Sequence, residues 1–118
     1  MSTLDAEDSK LVTLARGARL RAYTPQGEPA EGAAVRDTDG RTYAAATVGH
    51  SRPELATAAL RAAVAAAVSS GVRSFEAAVV VTEGEADGLD LAVLAEFGPG
   101  VPVHVARPDG AVVVTLSS

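Results

Sequence analysis

The run FEAAVVVT, Phe75 to Thr82, is apolar at almost every position and lies between two stretches of helical spacing. A strand wetted on one face alternates apolar with polar residues, whereas one without alternation is covered on both faces. This segment therefore predicts the middle of a sheet with helices on either side. Its surroundings fit that demand. Leu11, Leu14, Ala15, Ala18 and Ala22 recur at helical spacing and predict a first helix over about Asp5 to Ala22, with the polar start Met1 to Ser9 expected to fray. Pro25, Gly27 and Pro29 then make a loop. Gly32 to Arg36 reads as a strand, Asp39-Gly40 as a hairpin turn, and Arg41 to Ala46 as the returning strand. Arg52 to Ser70 is predicted as a long alanine-rich helix closed by Gly71. Asp87 to Phe97 predicts a shorter helix stopped by Gly98-Pro99-Gly100. Val101 to Ala106 and Ala111 to Leu116 are two further strands about the Pro108-Asp109-Gly110 turn. The order α-β-β-α-β-α-β-β gives an α/β chain, a mixed five-stranded sheet in three layers with helices on both faces.

With 118 residues, the whole of 1–118 is expected to form one domain, large enough to fold without staples. Hydrophobic residues are 47% of the chain but aromatics only 3%, so Ala, Val and Leu must build the core. A net charge of −5 argues against nucleic acid, which needs clustered Lys and Arg. No apolar run approaches the roughly 20 residues of a membrane span, and no charged-then-apolar leader opens the chain. A cytoplasmic protein is expected, with no membrane partner. The Ala, Val, Gly and Arg bias fits a GC-rich bacterial genome. Cysteine is absent, which excludes disulfides and thiolate metal sites together.

ARGARLRAYTP (15–25) resembles the first helix of the cytidine deaminase family, which ends in alanine-tyrosine and a proline. GAAV, the Asp39-Gly40 turn and Tyr43 resemble its first hairpin, and LAEFGP (94–99) resembles its third helix and exit. The likeness covers nearly the whole chain and implies the cytidine deaminase-like fold of the small, tetrameric, zinc-dependent type. In that family the metal is held by a Cys or His at the start of the second helix and two Cys at the start of the third, with a Glu moving protons between a bound water and the base. The matching positions here are Ala58 for the first ligand, Leu60 for the glutamate, and Asp87 and Asp90 for the paired cysteines. The ribose-holding asparagine and glutamate correspond to Thr47 and Gly49, and the tyrosine-serine-x-phenylalanine loop to Gln26, Gly27, Glu28 and Pro29. The resemblance thus implies the scaffold without its ligands, its proton shuttle or its recognition residues, and no cofactor is expected.

The remaining polar features each admit two readings. Asp87 and Asp90 are either a carboxylate metal pair or, the simpler reading, an N-cap and first-turn acid facing the helix dipole. Arg61 matches an arginine that lies against the metal-bound thiolates in tetrameric family members. It is expected to pair with Asp87 or Asp90 across the vacated site, the alternative being an exposed helix-surface arginine. Ser51-Arg52-Pro53-Glu54 fits a capping box that starts the second helix early, unless Pro53 and Glu54 stay in the loop. His50 is a metal ligand beside the two aspartates or an ordinary loop histidine. His104, inside VPVHVA, is expected on the solvent face or in a satisfied core bond.

ATAALRAAVAAAV (56–68) is apolar almost all round, and a sheet covers only one face of such a helix. Either loops cover the other face or copies of the chain do. A homo-oligomer is expected, a tetramer ahead of a dimer. The leading expectation is therefore an inactive cytidine deaminase homologue acting as an interaction or regulatory protein with an unknown protein partner. The alternatives are a nucleoside or small-ligand binding module without turnover, and a residual deaminase-type hydrolase using His50, Asp87 and Asp90.

Overall fold

Helix α1 (Ala6–Arg19) starts where Asp5 caps it, the Asp5 side chain accepting the Asp8 N–H at 2.7 Å. The computed structural model describes residues 4–118, so the fraying expected at the extreme start lies partly outside the described residues. From Ala6 onward the chain is helical, and Leu11, Val12, Ala15 and Ala18 are buried. Strands β1 (Gly32–Asp37) and β2 (Thr42–Ala46) form the expected hairpin. Asp37 is the residue that makes its turn, one carboxylate oxygen accepting the N–H groups of both Asp39 and Arg41 at 2.9 Å. Helix α2 (Ala59–Ser69), β3 (Phe75–Val81), a single turn of helix α3 (Ala92–Ala95), β4 (Pro102–Ala106) and β5 (Val112–Ser117) complete the chain.

The sheet has five strands in the order β2-β1-β3-β4-β5; β3 and β4 are parallel and every other pair is antiparallel. Ala77 to Val81 of β3 are all buried, because alternate residues serve two cores. Ala78 and Val80, with Ala33, Val35 and Val103, pack against Leu60, Ala63, Val64 and Ala67 of α2 and Leu94 of α3. Ala77, Val79 and Val81, with Ala34 and Ala106, pack against Leu11, Val12 and Ala15 of α1. Small residues let these layers close up. A Cβ on Gly32 would meet the Ala15 carbonyl and sit 2.6 Å from the Arg19 nitrogen, so helix and strand touch backbone to backbone there.

Two helix boundaries differ from expectation. Helix α2 begins at Ala59, and no capping box forms: Ser51 makes no cap, and Glu54 turns instead to Arg52 at 3.0 Å. Pro53–Leu55 is a separate 3-10 turn, after which Thr57 pairs antiparallel with Val48, exchanging both backbone hydrogen bonds at 2.7 and 2.9 Å. That pairing holds the backbone extended through Ala58 and overrides the helical propensity of the run. The helix expected over 87–97 is likewise split into a 3-10 turn at Ala86–Gly88, an extended Leu89 and α3. Glycines and aspartates in this stretch are weak helix formers.

Candidate functional site

Strands β3 and β4 end side by side, and β1 begins opposite the end of β3. Connections leaving parallel strands diverge there, which opens a crevice beyond their carboxyl ends. A cavity of about 500 Å³ occupies it, walled by Glu31 ahead of β1, by Ala58, Leu60 and Arg61 at the start of α2, and by Glu85 and Asp90 from the β3–α3 connection.

Glu31 is a cavity residue that the sequence did not single out. Its carboxylate accepts the hydroxyl of Thr82 at 2.7 Å, and the Thr82 oxygen in turn accepts the Gly84 N–H at 2.9 Å. Arg107 donates to the carbonyls of Thr82 and Gly84, fastening the same loop from the β4 side. The only signal available was position: a glutamate directly before a fully buried strand must find a polar partner or an opening.

Next to the cavity, the loop after α1 has exchanged side chains with the segment after β2. A Cβ on Gly49 would collide with the Glu28 carboxylate and lie 2.8 Å from the Tyr23 carbonyl. Glu28 therefore occupies the space that a side chain at 49 would fill. Its carboxylate accepts the N–H groups of Gln26 at 2.6 Å and His50 at 3.1 Å. Backbone N–H groups of Glu28, Gln26 and His50 hold its carboxyl below the ordinary range, outweighing partial desolvation. Thr47 is buried and structural, its backbone and hydroxyl bonded to the backbone of Glu31.

The expected site residues are brought together only in part. Ala58, Leu60, Arg61 and Asp90 share the cavity wall. Asp87 is exposed in the 3-10 turn and caps no helix, while Asp90 accepts the Ala92 N–H at 2.9 Å and so leads into α3. The ion pair expected between Arg61 and these aspartates does not form. Arg61 is exposed and forms no ion pair among the described residues, because α2 turns it away from the core that holds Leu60. His50 Nδ1 accepts the Arg52 N–H at 3.0 Å, a bond within its own loop. His104 is in a core bond: Nε2 donates to Asp8 at 3.0 Å and Nδ1 lies 2.8 Å from the Thr115 hydroxyl. A zinc ion does not fit this residue set. Among the described residues no three His, Asp or Glu side chains converge as ligands, and the chain has no cysteine.

The profile of the cytidine deaminase-like family matches residues 4–110, nearly all of the chain. The chain belongs to this family. A relative named cytidine deaminase from Sporosarcina psychrophila is 38% identical over 106 residues, covering 86% of this chain and 78% of that protein. The crystal structure of cytidine deaminase from Burkholderia pseudomallei superposes with a TM-score of 0.78 at 27% identity, over 92% of this chain and 90% of that one. Cytidine deaminase from Mycobacterium tuberculosis gives a TM-score of 0.73 at 26% identity, over 92% and 89%. The mixed sheet with helices on both faces is thus the cytidine deaminase fold, and no helix among the described residues is long and apolar enough to cross a membrane.

Proposed function

We propose that this chain is a cytidine deaminase-fold protein without deaminase chemistry. In this reading it is a zinc-free, cytoplasmic, bacterial pseudoenzyme with no nucleic-acid partner. It acts as a homo-oligomer, a tetramer first, in an interaction or regulatory role toward a protein partner. One observation carries the reading: the cavity wall presents the methyl of Ala58 and the isobutyl of Leu60 where the family places a metal ligand and a proton carrier. Hydrolytic deamination needs an activated water and a group that moves protons to the leaving amine, and neither side chain does either. Metal analysis of the purified protein, together with uridine release from cytidine, tests it. No bound zinc and no uridine above background are expected. One zinc per chain with measurable turnover restores the deaminase reading that the names of its relatives suggest.

The retained cavity favours a second reading, a binding module without turnover. Its volume of about 500 Å³ lies inside the usual range for small-molecule sites, and Arg61 and Glu31 offer opposite charges in its wall. A ligand that binds only the folded chain raises its melting temperature, so a shift with nucleosides but no uridine selects this reading.

A further inference from the structure

Arg16 and Arg19 in the last turn of α1, and Leu20 just after it, border a second cavity of about 300 Å³ together with Val81 at the end of β3 and Pro108 just after β4. It shares no wall residue with the larger cavity. Among the described residues its only charged wall residues are the two arginines, in a chain whose net charge is −5. Both guanidiniums are fixed from outside the helix. Arg16 Nε donates to the Pro108 carbonyl at 3.0 Å, and Arg19 Nε donates to the Ala30 carbonyl at 2.9 Å. Gly110 lets Arg16 lie across the β4–β5 turn, since a Cβ there would come within 3.3 Å of Nη1. A cation placed only to meet the carbonyl end of α1 needs no such second anchor. Among the described residues Arg16 forms no ion pair. Arg19 has one charged partner, the exposed Glu83, whose carboxylate stands 3.8 Å from Nη2, longer than a hydrogen bond.

We propose that this cavity binds a small phosphate monoester through Arg16 and Arg19, and that Glu83 is the internal carboxylate which the phosphate displaces. Two guanidiniums match the charge of a phosphate monoester, about −2 at neutral pH, whereas a carboxylate brings half of that. Each Nε bond is to a backbone carbonyl, which leaves the Nη groups of both arginines for the ligand. Those groups form a planar fork that fits two oxygens of one oxyanion. Holding the forks in place before the ligand arrives lowers the side-chain freedom lost on binding. Glu83 yields readily, because an exposed ion pair at that distance is worth little. Leu20, Val81 and Pro108 make the rest of the wall apolar, which suits the carbon side of an ester.

Calorimetric titration of the full chain with inorganic phosphate and with phenyl phosphate tests it, at an ionic strength fixed with chloride and with the melting temperature as a second readout. Saturable binding of one phosphate per chain is expected, the phenyl ester binding more tightly than the free ion. Arg16→Gln and Arg19→Gln are each expected to weaken it at least about tenfold. Arg16→Lys keeps the charge without the fork and recovers only part of that loss. Glu83→Gln is expected to tighten binding about threefold. Glu96→Gln, the same change of charge at the end of α3, leaves it unaltered. Should Arg19→Gln lose the native circular dichroism, the exposed positions Arg16 and Glu83 decide the matter. No saturable binding at millimolar phosphate overturns the proposal. So does affinity that survives the Arg16 variant, or that responds equally to the Glu83 and Glu96 variants. Tighter binding of the free ion than of its ester overturns the assignment to a monoester. Zinc content and uridine release bear on the larger cavity and leave this outcome untouched.

Discussion

At Gly49 the missing side chain is as informative as any present. The Glu28 carboxylate fills the space beside it and takes two backbone N–H groups, so the loop after α1 is held by a group that a larger residue at 49 would expel. Gly49→Ala is expected to destabilise the fold by about 2 kcal/mol through overpacking, read as a lower urea midpoint. Adding Glu28→Ala recovers only part of the loss, because the Tyr23 carbonyl still crowds the new methyl at 2.8 Å. Full recovery, or no effect of the first substitution, contradicts this packing. Nothing in the sequence at Gly49 or Glu28 alone shows that one fills the space beside the other. Their contact joins two loops separated by a hairpin, and nothing local announces it.

Among the elements, α2 shows how a pairing between strands displaces a helix start. Its expected cap, Ser51, stands eight residues ahead of the first helical residue, Ala59. The Val48–Thr57 bridge satisfies backbone groups that an earlier helix would have used for itself. Ser51→Ala is therefore expected to change unfolding free energy by less than about 0.5 kcal/mol, against about 1 kcal/mol for loss of a working N-cap. A loss of the larger size in chemical denaturation means that the capping box forms in solution. Strands and the end of α2 behaved as the pattern demanded, since alternation, apolar runs and the turn residues act over a few positions. The split of the helix expected over 87–97 came from glycine and aspartate, whose weak propensity the apolar spacing had masked.

Across the whole molecule, a polar cluster binds α1 to the sheet. Asp8 of α1 accepts from Arg36 of β1 at 2.9 Å and from His104 of β4 at 3.0 Å; Arg36 also pairs with Glu76 of β3, and Thr115 of β5 meets His104. Burial pushes the Asp8 carboxyl up, but hydrogen bonds and charge from Arg36 and His104 outweigh it and hold it below its ordinary 3.8. For Arg36, burial works against the charge while its bonds to Glu76 and Asp8 prevail and raise it. A carboxyl lowered in the fold stabilises it above its ordinary pKa, and that contribution is lost as pH falls through the lowered value. Asp8→Asn is thus expected to cost about 2 kcal/mol at neutral pH, with the gap from wild type narrowing as pH falls below the ordinary 3.8 and through the lowered value. Urea titrations across pH measure it, and a gap that stays constant down to acid pH contradicts the linkage. The amino-acid sequence by itself determined the sheet, its two helical layers and the absence of any cysteine thiolate, because period, apolar runs and residue identity are local properties. Only the tertiary structure decided where α2 begins, that Arg61 turns outward, what fills the space at Gly49 and that Glu31 enters the cavity. Those outcomes depend on competition among hydrogen bonds and packing between segments far apart in the chain, and that competition is resolved only when the segments meet.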